Sequence, residues 1–148
     1  MPRPELRAVP SELLDPPYPA DVKANGWKPE FDVDLIGQSD TWTLAEDDER
    51  PWLLRIWFEA WKSVPVGSMP DDRRLFARRI GCNKAFLDAH AEALLRGWVL
   101  HKDGRLYHKH ITEQVLRMLS KRQAAAQKVR NWRERKKQAE TTKQAGVT

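Results

Sequence analysis

The pattern most able to do chemistry is a run of cations near the C-terminus. Between Arg117 and Lys137 the chain carries nine basic side chains and one acid, Glu134. The alanines and glutamines between them favour an exposed helix. Such a helix neutralises phosphates and releases counterions, so its affinity for nucleic acid falls with salt. The predicted DNA contacts here are Arg117, Lys121, Arg122, Lys128, Arg130, Arg133, Arg135, Lys136 and Lys137.

Trp132 lies among these cations, and its role is open at this level. It can stack on a base of a single strand, or pack against the body or a second chain. The apolar positions from Ile111 to Trp132 follow a heptad-like spacing. This spacing leaves a homodimer open, although Arg122 and Ala125 in the seam would make a weak coiled coil.

A second group of candidate contacts lies in the middle of the chain. Arg74 and Arg78 are spaced i, i+4, so they share one face of a basic helix. Its alternative interpretation is a solvated face. Lys102 and Arg105 flank an Asp-Gly turn, and a hairpin tip of this charge suits contact with the DNA backbone.

The remaining candidates lie on the following helix, which would enter the major groove. Its predicted outward face begins with Asn83 and Lys84, which suit DNA contact. The same face carries two acids, which phosphates repel. Leu87 and Leu95 on that face suit a protein partner better, so they are the predicted partner-binding residues.

No catalytic or metal-binding constellation emerges. His101, His108 and His110 cluster in sequence, and His108 and His110 share a face if the strand continues. No motif supplies a third metal ligand at a suitable spacing, so the three are predicted to be surface or wing residues. Cys82 is the single cysteine and has no visible activating context. Nucleotide-binding glycine loops are absent from the sequence. We therefore expect a non-enzymatic protein with no cofactor and no metal.

Composition limits the class further. The 148 residues suit one domain, and the net charge of +5 is unevenly distributed. Residues 1–100 carry 13 basic and 17 acidic side chains, whereas residues 101–148 carry 13 basic and 4 acidic ones. A basic end of this kind is typical of polyanion binding. No signal peptide or membrane-spanning stretch is apparent, so a cytoplasmic protein with no membrane partner is expected.

The elements that would position these residues begin after a Pro-rich arm, residues 1–37, which is expected to be mostly irregular. Within it, Phe31 to Leu35 alternates apolar and acidic residues, as in an edge strand or a lid. The first helix is expected from Thr43 or Leu44 to Lys62, with Thr43 as its cap. Pro51 either kinks this helix or starts it.

Two further helices and a hairpin follow. The second helix is expected over about Pro70–Ile80 with its start at Ser68, and the third from Asn83 to about Arg96. Asp103-Gly104 then predicts a hairpin with a type I′ turn. The chain becomes helical again from about Thr112, and the last ten residues are expected to be disordered.

This order predicts a fold that is mainly α with a small β-hairpin, a winged helix-turn-helix. It has a Pro-rich arm before it and a long basic C-terminal helix after it. The predicted domains are 1–37 for the arm, 38–119 for the winged helix, and 120–148 for the basic extension and tail.

The chain also resembles the YdaU-like proteins of phages and prophages. The resemblance covers roughly residues 35–122 and rests on three motifs: Ser68-Met69-Pro70-Asp71-Asp72, Gly97-Trp98-Val99-Leu100, and Asp103-Gly104-Arg105-Leu106-Tyr107-His108. Ser39-Asp40 and the helix ending in Trp61 also match. It implies a winged helix and a role near phage DNA replication, with a replication protein such as a helicase as partner. It supplies no catalytic residues.

The combined expectation is a phage or prophage DNA-binding protein, an accessory or adaptor in replication initiation. It would bind double- or single-stranded DNA through the winged helix and the basic helix. The alternative is a protein-interaction adaptor or transcriptional regulator that uses the winged helix to bind a protein.

Overall fold

The fold combines helices with a small antiparallel sheet. The computed structural model describes residues 12–146, so predictions for residues 1–11 and for Val147 and Thr148 lie outside the described part. Its elements are α1 (Val33–Gln38), α2 (Asp40–Leu44), α3 (Arg50–Lys62), β1 (Ser68–Pro70), α4 (Arg73–Ile80), α5 (Lys84–Ala89), α6 (Ala91–Leu94), β2 (Trp98–Leu100), β3 (Arg105–His108) and α7 (Lys109–Ala145). The predicted mixed α and β class is confirmed.

The chain divides into two units, the first ending at Val115 and the second beginning at Leu116. The second unit consists of the remaining turns of α7, which are helical through Ala145. The expectation that the last ten residues are disordered is therefore wrong for residues 139–145. Their alanine, glutamine, glutamate and lysine side chains suit a helix even without an apolar stripe.

The sheet has the order β1-β3-β2, and both pairings are antiparallel. Strand β1 replaces the expected helix start, because Ser68 and Met69 pair with Tyr107 and Leu106 of β3. Helix α4 begins later, at Arg73, where the Asp72 carboxylate accepts a hydrogen bond from the backbone N–H of Leu75 at 3.0 Å. Proline is tolerated in β1 because this strand lies at the edge of the sheet.

The predicted hairpin is confirmed, but its turn type is wrong. The backbone N–H of His101 donates to the carbonyl of Arg105 at 2.9 Å, which leaves a three-residue loop between the strands. Only Gly104 in this loop has a positive φ, of 78°, whereas a type I′ turn needs positive φ at two residues. The loop instead follows the three-residue pattern that uses glycine in the left-handed region.

Helix α3 supplies much of the core, because its apolar residues recur at the helical spacing and share one face. It begins at Arg50 with Pro51 in its first turn, so the proline starts this helix rather than kinking a longer one. The preceding segment forms the separate helix α2, whose cap is Ser39 rather than Thr43. The side chains of α3 that are buried are Leu53, Ile56, Trp57, Ala60 and Trp61.

Part of the N-terminal arm packs on this body. The indole N–H of Trp61 donates to the carbonyl oxygen of Trp27 at 2.7 Å, and the hydroxyl of buried Tyr18 donates to the carbonyl oxygen of Val66. The expected edge strand at 31–35 is wrong, because Asp32 caps a helix there by accepting from the backbone N–H of Leu35. The helix-capping preference of Asp outweighs the alternating pattern.

Two of the histidines predicted to be surface or wing residues belong to the hairpin and are buried. His101 and His108 are each less than a tenth exposed. A Cβ at Gly97, whose φ is +83°, would lie 2.7 Å from Nε2 of His108, so glycine allows the imidazole to pack against the backbone. Burial lowers the pKa of His108 from 6.5 to about 4, which keeps the ring neutral.

Candidate nucleic-acid interface

The first basic surface lies on α4. Phe76, Ala77 and Ile80 face the core, which leaves the arginines on the outer side of the helix. We define the α4 arginine face as Arg74, Arg78 and Arg79, all of which are exposed. None of the three forms an ion pair with any residue in the range 12–146.

The α4 arginine face is electrostatically unfavourable without an anion. Arg74 and Arg78 lie one turn apart, where two like charges cost about 0.2–0.5 kcal/mol. Arg79 also acts on Arg105, whose pKa is lowered mainly by burial and further by this neighbouring charge. A bound phosphate would relieve the repulsion, so the predicted pair Arg74 and Arg78 keeps its suitability for DNA contact.

Asn83 and Lys84 are brought to the start of α5, but both have internal partners. The Asn83 side-chain oxygen accepts from the backbone N–H of Phe86 at 2.7 Å and so caps the helix. The Lys84 ammonium lies 2.6 Å from the carboxylate of Asp88, which Arg73 also contacts at 3.0 Å. These cations lower the pKa of Asp88. The first turn of α5 is thus organised for helix stability rather than for presenting donors.

The predicted partner-binding pair is half wrong. Leu87 is fully buried, with 0% of its surface exposed, and Leu95 is half-buried. The predicted single helix from Asn83 breaks at His90 into α5 and α6, and its inward stripe passes through Leu87 and Leu94. The side of the helix that carries Leu87 therefore faces the core and not the solvent, which removes Leu87 as a docking residue.

His90 at this break contacts two elements. Its Nδ1 lies 2.7 Å from a carboxylate oxygen of Glu49, the residue immediately before α3. Its ring packs on Phe86 with 4.3 Å between centroids. The pKa of Glu49 is lowered, first by the hydrogen bond from the backbone N–H of Glu46 and then by His90. The arrangement is structural and positions α5 and α6 against α3.

The hairpin tip is also partly engaged within the chain. The ammonium of Lys102 lies 3.1 Å from the carboxylate of Asp15. The backbone N–H of Lys102 donates to the carbonyl oxygen of Leu14 at 2.9 Å. The Nε of Arg105 donates to the hydroxyl of Ser68 at 2.7 Å. An exposed ion pair such as that of Lys102 contributes about 0–1 kcal/mol, so a phosphate can replace Asp15. Arg105 is half-buried and mainly joins β3 to β1.

The second basic surface belongs to the second unit. We define the basic segment as residues 117–137 of α7. Eight of its nine cations are exposed, and Arg122 is half-buried. Within the described residues, seven of the nine form no ion pair, and these are Arg117, Lys128, Arg130, Arg133, Arg135, Lys136 and Lys137. The segment therefore presents a high density of uncompensated positive charge to solvent.

The described residues offer little for catalysis or metal binding. Across positions 12–146, no three His, Cys, Asp or Glu side chains lie together in a way that could hold a metal ion. Burial raises the pKa of the Cys82 thiol, which disfavours the reactive thiolate. The charged groups that the two basic surfaces present are guanidinium and ammonium groups, which are suited to hydrogen bonds with anions.

The sequence reasoning missed Arg79 and Arg55. Arg79 extends the α4 arginine face, but the choice of an i, i+4 pair excluded it. The Nε of Arg55 donates to the carbonyl oxygen of Ile80 at 2.6 Å, and its guanidinium covers the turn at Gly81. No periodic signal marks Arg55, because its partner lies 25 residues away along the chain.

Comparisons with known proteins add no identification. No protein-family model, no curated protein and no solved structure matches this chain. Within residues 12–146, none of the helices is both long and apolar enough to cross a bilayer.

Proposed function

We propose that this protein binds DNA without catalysing a reaction, and that the basic segment supplies most of the affinity. The observation that carries the proposal is the set of seven cations in residues 117–137 with no ion pair in the described chain. Unpaired cations at this density neutralise phosphates and release the counterions that are condensed on a nucleic acid backbone. The α4 arginine face adds a second, smaller contact surface.

The order of elements supports a winged helix as the positioning domain. Helix α3, strand β1, helices α4 to α6 and the β2–β3 hairpin follow one another as in that module, with the sheet order β1-β3-β2. In a winged helix the last helix before the hairpin enters the major groove. Here that helix is divided into α5 and α6. Exposed Asp88 on α5 repels phosphates, and Asn83 caps α5, so general backbone attachment is favoured over sequence reading.

The role in phage or prophage replication rests on the resemblance described above. An accessory or adaptor of replication initiation in the bacterial cytoplasm would use such attachment to hold a replication protein, for example a helicase, near DNA. Salt-sensitive binding with little sequence choice suits that task, because the partner then selects the site.

Fluorescence anisotropy with a labelled duplex tests the proposal on the full chain. A segment variant with Arg130, Arg133, Arg135 and Lys137 changed to Gln should bind at least about a hundredfold more weakly at low salt. A control with Gln123, Gln138 and Gln144 changed to Ala alters the same helix without altering its charge. Equal affinity of the segment variant and the control would refute the assignment.

A protein-interaction adaptor remains the second candidate, with a different surface from the one expected. Leu54 and Phe58 lie one turn apart on α3 and are 37% and 48% exposed, and Phe58 packs edge-on against Phe31. Exposed apolar side chains of this kind suit a protein partner. Changing Leu54 and Phe58 to Ser should abolish co-purification with a replication helicase while leaving DNA affinity intact. Retained co-purification would reject this candidate.

A further inference from the structure

Trp132 is the large apolar side chain at the centre of the basic segment. It is 55% exposed, and Val129, one turn before it, is 46% exposed. On a helix, the surface neighbours of a residue lie three and four positions away. For Trp132 these are Lys128, Val129, Arg135 and Lys136, so three of its four neighbours are cations.

The surroundings of the ring combine an aromatic surface with positive charge. The Lys136 ammonium lies over the indole ring, 5.1 Å from its centroid. Lys128 and Arg135 are exposed and form no ion pair with any described residue. The acid of this segment, Glu134, is two positions from Trp132 and so lies on a different side of the helix.

This combination discriminates between the possible occupants of the surface. A second copy of the helix would bring Lys128, Arg135 and Lys136 against their own counterparts, where like charges repel. A duplex satisfies the cations but keeps its bases stacked inside. A single strand offers both phosphates for the cations and an unstacked base for the ring.

We infer that Trp132 and its three cationic neighbours form a binding site for single-stranded DNA, in which a base stacks on the indole. The inference rests on the proposed function and deepens it. Each phosphate beside the stacked base meets Lys128, Arg135 or Lys136. The stacking contact has no counterpart in duplex binding, which uses charges and leaves the bases stacked inside the helix.

Anisotropy of the full chain with labelled oligothymidylate and with a hairpin duplex tests this site. Trp132→Ala should weaken single-strand binding between about fivefold and about a hundredfold, and should change duplex binding less than twofold. Trp132→Phe should keep most of the single-strand affinity, because it retains an aromatic ring. Asn131→Ala is the matched control in the same helical turn and should change neither affinity. Alanine favours helix, so the substitution preserves α7.

Every other result overturns the site. Equal losses on both nucleic acids, or no loss on the single strand, would remove the stacking role while leaving the proposed function intact. More than tenfold tighter binding of oligouridylate would assign the site to RNA instead. Conversion of a dimer to a monomer by Trp132→Ala, with single-strand affinity retained, would assign it to a second copy. Failure of the intact chain to bind any nucleic acid would refute the proposed function itself.

Discussion

The cations of the two units have different surroundings. In the first unit, Arg73 and Lys84 contact Asp88, Lys102 contacts Asp15, and Arg105 donates to Ser68. In the basic segment, most cations have no ion-pair partner within the described residues. The same residue types therefore hold a fold together in one region and are left available for a ligand in the other. The α4 arginine face differs from these residues, because its three arginines have no ion-pair partner within the described residues.

The largest expected effect is a loss of stability on truncating Leu87 in the first unit. Because its side chain is fully buried, Leu87→Ala should lower the free energy of unfolding by about 2–5 kcal/mol. Half-buried Leu95→Ala is the comparison and should cost less. Urea unfolding measures both. Unchanged stability together with loss of a protein partner would restore Leu87 as a docking residue.

The second expected effect is a loss of stability in acid that arises in the first unit. Burial lowers the pKa of His108 to about 4 in the folded protein, against 6.5 when exposed. The unfolded chain therefore binds a proton at higher pH than the folded one. Stability from this group is complete above pH 6.5 and is lost as the pH falls from about 6.5 to about 4, by about 3 kcal/mol.

Denaturant unfolding at a series of pH values measures that loss. His108→Gln should flatten the curve between pH 6.5 and 4, whereas His110→Gln, at an exposed histidine, should retain it. Below pH 4.5 a further decline is expected from Glu49, whose pKa is lowered and whose contribution disappears as it is protonated. A His108→Gln protein with the slope of the intact chain would contradict the buried neutral imidazole.

A smaller effect is expected at Asn83, which distinguishes capping from DNA contact. Asn83→Ala should lower the free energy of unfolding by about 1 kcal/mol through loss of the cap on α5. Asn83→Asp preserves an acceptor and should recover the stability. Duplex affinity should be unchanged for Asn83→Ala at a temperature where it is folded. A loss of affinity without a loss of stability would instead make Asn83 a DNA contact.

Local chemistry made much of the fold predictable. The apolar spacing of α3, the Asn83 cap and the Asp-Gly hairpin each depend on residues near one another in sequence, and each is present. The burial of Leu87 could not be predicted, because apolar residues occur on more than one side of this helix and only packing selects the side with Leu87 and Leu94. Strand β1 was also missed, since a three-residue strand exists only through its pairing with β3.

The candidate site was predictable to a different extent in the two units. A dense run of cations with one acid cannot pair internally, so composition alone indicated the basic segment. In the first unit the outcome depended on where single acids lie. Asp88 pairs with Lys84, 4 positions away, whereas Asp15 pairs with Lys102, 87 positions away. Only the folded chain shows which arginines of α4 remain unpaired.

The basic segment is proposed to supply most of the DNA affinity. The most direct test is the slope of log K against log salt for a duplex, measured on three forms of the full chain. The Gln variant of Arg130, Arg133, Arg135 and Lys137 should lower the magnitude of the slope by about 3–4, and Arg74→Gln with Arg78→Gln by no more than about 2. An unchanged slope in the first variant and a nearly flat one in the second would contradict the claim.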